Sequence, residues 1–138
     1  MGITFQVDLG ETRSVTGTII QGRPTHDEWV FPGSVDRSTP VTNLLSNPVA
    51  ARYVRFVVQS WLETIAMRVE ILGCNTTAVP PACPHLLGME SGAIPDDSIT
   101  ASSINSAGLE PYRGRLNGVA GGGAWIPGYY ATGQWLQV

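Results

Sequence analysis

Apolar and polar residues alternate along residues 4–9 and again along residues 65–72. A period of two is typical of a half-buried β-strand, because successive side chains point to opposite faces of the sheet. Residues 52–59 are rich in β-branched and aromatic residues and also predict a strand. Shorter strands are predicted at residues 15–21, 99–104 and 134–138. No window sustains the 3.6-residue period of a helix, so the pattern predicts an all-β chain.

Turn-forming residues separate these predicted strands. The 138 residues include 16 Gly and 10 Pro, and Ser46-Asn47-Pro48 predicts one of the turns. Residues 75–82 read as a Pro-rich hinge, and residues 105–133 carry little regular pattern. A chain of this length and composition is expected to build one domain with a sizeable core.

The charge pattern argues against several classes of partner. Charged residues make up 14% of the chain, the net charge is −3, and all eight basic residues are Arg. We therefore expect no nucleic-acid partner, and no basic cluster that would draw the chain to anionic lipid. No stretch is apolar enough to span a bilayer, and no signal peptide is recognisable, so any secretion signal of a parent protein is expected outside this sequence.

Two cysteines and one sequon indicate an extracellular setting. Cys74 and Cys83 flank the hinge, and Asn75 begins an Asn-Thr-Thr sequence that is a candidate glycosylation site. An even number of cysteines beside a sequon favours an oxidising compartment. The alternative is two free cysteines, one on each side of a linker.

The two ends of the chain repeat each other. Phe5-Gln6-Val7 matches Leu136-Gln137-Val138 at an offset of 131 residues (136 minus 5), which is about one domain length. The chain therefore looks like one period of a tandem array. A module strung in an array without a visible catalytic set is more typical of binding than of catalysis.

Several segments resemble the discoidin domain, also called the coagulation factor type C domain. Trp135–Val138 followed by Asp8–Gly10 would spell its "WLQVDLG" strand, and residues 17–23 match the strand and loop that come next. The closing strands of the family match residues 51–56 and 67–74, and its opening matches Cys83 and residues 87–92. The resemblance implies a discoidin-like jelly-roll β-sandwich or barrel.

The order of these segments differs from the family pattern. Residues 1–74 resemble the C-terminal part of one domain, residues 75–82 are the hinge, and residues 83–138 resemble the N-terminal part of the next domain. The chain is either a piece of a tandem protein or a circular permutant, and its neighbours are then further domains of the same kind. The resemblance also implies a disulfide between Cys74 and Cys83. One hairpin is missing after Trp29, which predicts an exposed sheet edge.

Residues capable of catalysis or metal binding do not form a recognisable motif. His26 and His85 lie in no nucleophile-elbow sequence, so we predict that the chain is not an enzyme. Asp96-Asp97 lacks the spacing of a calcium loop and reads as a solvated turn. We therefore predict no metal site and no cofactor.

The resemblance places ligand binding in loops at one end of the barrel, here residues 21–29, 104–113 and 118–133. Tyr and Arg side chains there suit a polar ligand, because tyrosine offers an apolar ring with a polar end and arginine donates paired hydrogen bonds. Trp29 and Trp125 are expected in the core, and Arg115 in a structural ion pair. The candidate ligand-binding residues are Arg23, His26, Asp27, Asn105, Leu109, Tyr112, Arg113, Tyr129 and Tyr130.

These features predict a non-catalytic extracellular adhesion module, secreted or part of a cell-surface ectodomain, that binds a cell-surface carbohydrate or glycoprotein. One alternative is a module that binds phosphatidylserine membranes. Leu109 is then the single bulky residue at a loop tip, and its burial would contribute about 2 kcal/mol. The other alternative is a structural spacer in a multidomain protein.

Overall fold

The computed structural model describes residues 2–4, 9–21, 38–58, 61, 64–74 and 83–138. Within them, two short 3₁₀ helices lie at Asp96–Ser98 and Pro111–Gly114, and no helix is long and apolar enough to cross a bilayer. The strands are β1 Gly2–Thr4, β2 Arg13–Gln21, β3 Val41–Ala51, β4 Arg55–Val57, β5 Arg68–Cys74, β6 His85–Leu86, β7 Thr100–Ala101 and β8 Trp135–Gln137.

The strands form two antiparallel sheets, which confirms the predicted all-β sandwich. One sheet has the order β1-β4-β8-β7 and the other β3-β2-β5-β6. Each sheet combines strands from residues 1–74 with strands from residues 83–138: β4 pairs with β8, and β5 pairs with β6. The two segments therefore share both sheets in this chain. Their order relative to the family stays a prediction.

The hydrophobic core lies between the two sheets. In β4 and β8, Phe56 and Leu136 are fully buried while their neighbours along each strand are half-buried, which is the alternation of a one-sided sheet. Leu136 pairs directly with Phe56 across the two strands. Trp125 is also fully buried and exchanges backbone hydrogen bonds with Met67 at 3.1 and 3.2 Å. The core position expected for Trp125 is thus confirmed.

Strand β5 departs from the half-buried pattern. All seven of its residues are buried, including Arg68 and Glu70. The sequence showed two alternating faces, but loops cover the second face: the amides of residues 88–90 donate to the Glu70 carboxylate, and Arg68 donates to the carbonyl of Gly118. Arg68 is therefore buried beneath a loop and does not lie on an exposed face of the sheet.

Strand β3 runs through the predicted turn at Ser46-Asn47-Pro48. The ladder with β2 shifts register there, since Val15 pairs with Val49 and Gly17 pairs with Leu44. Residues 45–48 thus bulge opposite Thr16, and a bulge accommodates proline, which has no N–H for the ladder. Within the described residues β3 is an edge strand with Leu44 exposed, whereas the position of the missing hairpin lies outside them.

A disulfide joins the two segments. Cys74 ends β5 and is bonded to Cys83, with the two Cα atoms 5.7 Å apart. The hydroxyl of Thr16 donates to the Cys83 carbonyl at 2.8 Å and fixes this end of the molecule to β2. The hinge between the cysteines, with the candidate glycosylation site Asn75, lies outside the described residues.

Candidate functional site

Hydrogen bonds bring two of the three predicted binding loops together. The Asn105 amide donates to the Ile126 carbonyl at 3.0 Å, and the Gly122 amide donates to the Gly108 carbonyl at 2.7 Å. Residues 104–113 and 118–133 are consequently adjacent, and we call their combined exposed side the loop surface. The third predicted loop, with Arg23, His26, Asp27 and Trp29, lies outside the described residues.

The loop surface carries most of the large exposed hydrophobic side chains in the described part of the chain. Val119 is 76% exposed, Tyr129 62%, Ile104 47% and Tyr130 43%. Exposed apolar residues scattered singly need no explanation, but several of them within two adjacent loops mark a candidate interaction site. The tyrosines were predicted from sequence, whereas Ile104 and Val119 were not. Each is a single bulky apolar residue between small or polar neighbours, and this sequence feature could have indicated an exposed position.

Leu109 supports the loop surface from within. Its side chain is half-buried and packs against the backbone of Gly122, where any side chain would collide with it. Its backbone amide donates to the Ser106 carbonyl at 3.2 Å and closes a turn. Leu109 therefore holds the two loops together, and the exposed apolar positions belong to other residues.

Glu110, Tyr112 and Arg113 form a connected group beside Leu109. The Glu110 carboxylate accepts a hydrogen bond from the Gly108 amide at 2.9 Å and pairs with Nε of Arg113 at 3.3 Å. The Arg113 guanidinium lies 4.9 Å from the centroid of the Tyr112 ring, a cation–π arrangement. The Gly108 amide, and to a smaller extent Arg113, lowers the pKa of Glu110. Since Arg113 is paired, the loop surface adds little positive charge.

Polar contacts fix the floor of the loop surface. Nε1 of Trp125 donates to the Ser103 carbonyl at 3.0 Å, and the Ser103 hydroxyl accepts from the Gly128 amide at 2.9 Å. The same hydroxyl donates to the Gln134 side chain at 2.7 Å. A buried indole thus positions the segment that leads directly into Tyr129. Rigid support of this kind reduces the entropy that a ligand must overcome on binding.

Arg115 makes the structural ion pair that the sequence predicted. Its guanidinium pairs with Asp96 and donates to the carbonyls of Met89 at 2.7 Å and Ile94 at 2.8 Å. Asp96 therefore neutralises an arginine beneath the loops. No group of three His, Cys, Asp or Glu side chains in the described ranges is placed to hold a metal ion.

The structure brings together the predicted binding residues that it describes. Asn105, Tyr129 and Tyr130 are exposed on the loop surface, and Leu109, Tyr112 and Arg113 are half-buried at its base. Their role in binding stays a prediction. The arrangement offers aromatic and aliphatic contacts with a few hydrogen-bonding groups, and a surface of that composition suits recognition of another molecule.

The chain is similar to several known proteins. The EGF-like repeat and discoidin I-like domain-containing protein 3 of Mus musculus is 36% identical over 129 residues, covering 89% of this chain and 26% of that protein. The venom prothrombin activator omicarin-C non-catalytic subunit of Oxyuranus microlepidotus is 37% identical over 121 residues, covering 86% of this chain and 8% of that protein. Coagulation factor V of Sus scrofa is 36% identical over 124 residues, covering 87% of this chain and 5% of that protein.

The chain thus spans about a quarter of the length of the first relative and much less of the other two. No family model and no solved structure matches it. Venom and coagulation proteins work outside cells, and with the Cys74–Cys83 disulfide this confirms the predicted extracellular setting. The matches extend over most of the chain, and the sheets are those of a β-sandwich. The chain belongs to the discoidin domain family, also called the coagulation factor type C domain family.

Proposed function

We propose that this chain is a non-catalytic extracellular recognition module whose loop surface binds a cell-surface glycoprotein or its carbohydrate. The observation that carries the proposal is the grouping of Tyr129, Tyr130 and Ile104 on a face that the buried Trp125 holds rigid. Family membership supports it, and one relative is named as a non-catalytic subunit.

The chemistry of the loop surface suits a polar ligand with apolar patches. Tyrosine rings pack on the C–H faces of sugars, and their hydroxyls form hydrogen bonds at the same time. Asn105 adds an exposed amide beside them. Arg113 is held over Tyr112 and paired with Glu110, so its remaining N–H groups are oriented before a ligand arrives.

Glycan-array and glycoprotein binding by the double variant Tyr129→Ala/Tyr130→Ala would test the proposal. We expect binding to fall about tenfold or more, because exposed aromatic residues are frequent hot spots of recognition. The matched control is Leu44→Ala/Leu86→Ala, which removes two exposed side chains of strands β3 and β6, outside the loop surface. Equal binding by the wild type and the tyrosine variant would contradict the proposal.

A membrane is the second candidate ligand, and the exposure of Ile104 and Val119 favours it. Each side chain would contribute about 1.5–3 kcal/mol if fully buried in the apolar part of a bilayer. The loop surface lacks lysine, and Arg113 is paired with Glu110, so attraction to anionic lipid adds little. Membrane binding by this module would therefore depend weakly on salt.

Vesicle sedimentation separates these candidates. Under the membrane hypothesis, phosphatidylserine–phosphatidylcholine vesicles bind the wild type, and Ile104→Ala/Val119→Ala loses that binding while Leu44→Ala/Leu86→Ala keeps it. Binding to glycans that requires Tyr129 and Tyr130, without binding to vesicles, supports the first proposal. A folded sample that binds neither ligand would identify the module as a structural spacer.

We further propose that residues 1–74 and 83–138 fold together as one permuted module around the 75–82 hinge. The pairing of β4 with β8 and of β5 with β6 supports this, because each segment completes sheets of the other. One cooperative unfolding transition, with amides of both segments losing protection together, is the expected result. Two separate transitions would contradict it.

A further inference from the structure

Asn117 lies in a contact that holds the start of one binding loop. Its side-chain nitrogen Nδ2 donates to the Glu90 carboxylate at 2.8 Å, and its backbone amide donates to the Gln21 side-chain oxygen at 3.1 Å. The residue has φ of 57°, a left-handed conformation that asparagine tolerates better than most residues. The next residue is Gly118, and the exposed loop with Val119 follows it.

We propose that Asn117 is a deamidation site and that its hydrogen bond to Glu90 slows the reaction in the folded chain. An asparagine followed by glycine is chemically labile, because a residue without a Cβ leaves its backbone nitrogen open to react with the preceding side chain. The proposal concerns the chemistry of this contact and holds whatever the loop surface binds.

The reaction needs only water. The backbone nitrogen of Gly118 attacks Cγ of Asn117, the Cγ–Nδ2 bond breaks, and ammonia leaves with the proton that the Gly118 nitrogen loses. The product is a five-membered succinimide ring. Water then adds to either ring carbonyl and opens the ring, which gives aspartate or isoaspartate at position 117.

Three hydrogen bonds oppose the first step in the folded chain. The Gly118 amide, which must become the nucleophile, donates to the Arg115 carbonyl at 3.0 Å. The Asn117 side chain donates a hydrogen bond to Glu90, and the Asn117 backbone amide donates one to the Gln21 side chain. Glu90 is itself placed, since its amide donates to the buried Glu70 carboxylate at 2.9 Å. Loss of the Glu90 carboxylate would free the amide to turn.

The product could not restore the contact. A carboxylate at position 117 has no N–H to donate. It would lie close to the Glu90 carboxylate, since Nδ2 of Asn117 and the Glu90 oxygen are 2.8 Å apart. Like charges that close repel each other. Deamidation would therefore release the start of the 118–133 loop irreversibly and loosen one half of the loop surface.

Peptide mapping by mass spectrometry after incubation at mildly alkaline pH would test this. Glu90→Ala should deamidate at Asn117 about tenfold faster than the wild type, because a lost hydrogen bond to a charged group is worth roughly that factor. Glu90→Gln, which keeps an acceptor oxygen, should stay near the wild-type rate. Asn105, exposed and followed by Ser106, is the internal control and should not change.

The variant Asn117→Asp reproduces one product and tests the consequence. Hydrogen exchange at residues 118–123 should be faster than in the wild type, while the far-ultraviolet circular dichroism stays the same. Equal deamidation rates at Asn117 in Glu90→Ala and wild type would overturn the proposal that the Glu90 hydrogen bond slows the reaction. Unchanged exchange in Asn117→Asp would overturn the proposed release of the loop.

Discussion

Replacement of Glu70 by glutamine tests how a buried carboxylate organises the turn at residues 88–90. Glu70 is fully buried in β5. Its Oε1 accepts the amides of Ile71, Gly88 and Met89 at 2.9, 3.2 and 3.0 Å, and its Oε2 accepts the amide of Glu90 at 2.9 Å. A side chain with acceptors only satisfies four backbone donors at once.

The glutamine variant keeps the shape but replaces one oxygen by a donor. If the oxygen stays near Ile71, the new NH₂ group faces the Glu90 amide, so two donors meet and neither has an acceptor in that contact. A buried unsatisfied donor costs about 2 kcal/mol, and the same loss in a 138-residue domain lowers Tm by about 7 °C. Glu70→Ala removes every acceptor and should cost about 4 kcal/mol or more.

Chemical denaturation and hydrogen exchange would measure these effects. We expect the midpoint to fall for Glu70→Gln, with the largest loss of amide protection at residues 88–90. The matched control is Glu11→Gln, since Glu11 is 69% exposed and pairs with Arg13 at 3.6 Å; its cost should stay below about 0.5 kcal/mol. If Glu70→Gln were as stable as the wild type and kept its protection at residues 88–90, the role assigned to Glu70 would be refuted.

Three further predictions concern the loop surface, the disulfide and the core. The folded state lowers the pKa of Glu110, so its stabilising effect is complete above the unfolded-state pKa and is lost as pH falls through the folded-state pKa. Acid should therefore lower the protection of the Gly108 amide, measured against its intrinsic exchange rate at the same pH, in the wild type. Glu110→Gln should remove that pH dependence of the protection. Reduction of the Cys74–Cys83 bond, whose partners are separated by 9 positions, should cost about 2–3 kcal/mol in urea denaturation; no loss would contradict the chain-entropy argument. Trp125→Ala should lower the free energy of unfolding by about 3–5 kcal/mol in the same assay, because it leaves a cavity at a fully buried position. A loss below about 1 kcal/mol would contradict the core assignment.

Local composition and pattern predicted several of the strands. Residues 15–21 lie within β2, and the predicted strands at 52–59 and 134–138 contain β4 and β8. The prediction of a turn at Ser46-Asn47-Pro48 was wrong. It used only the turn preference of these three residues, whereas a register shift opposite Thr16 lets β3 continue through them. That shift depends on a partner strand more than twenty residues away.

The candidate site was less predictable than the fold. Motif resemblance located the loops, and the tyrosines stood out by residue type. The roles of Leu109 and Val119 depended on neighbours distant in sequence: Leu109 is covered by Gly122, while Val119 is left uncovered. Residue type alone cannot distinguish a packed leucine from an exposed one, since both satisfy the same hydrophobic pattern.

The β class, the family and the extracellular setting could be inferred from the residues alone, because alternation, turn formers and motifs are local properties of the chain. Three features required the folded chain: both faces of β5 are buried, Glu70 organises the 88–90 turn, and Asn117 is hydrogen-bonded to Glu90. Burial and hydrogen bonding of this kind arise between residues far apart in sequence. They exist only once the two sheets have packed and the loops have closed over them.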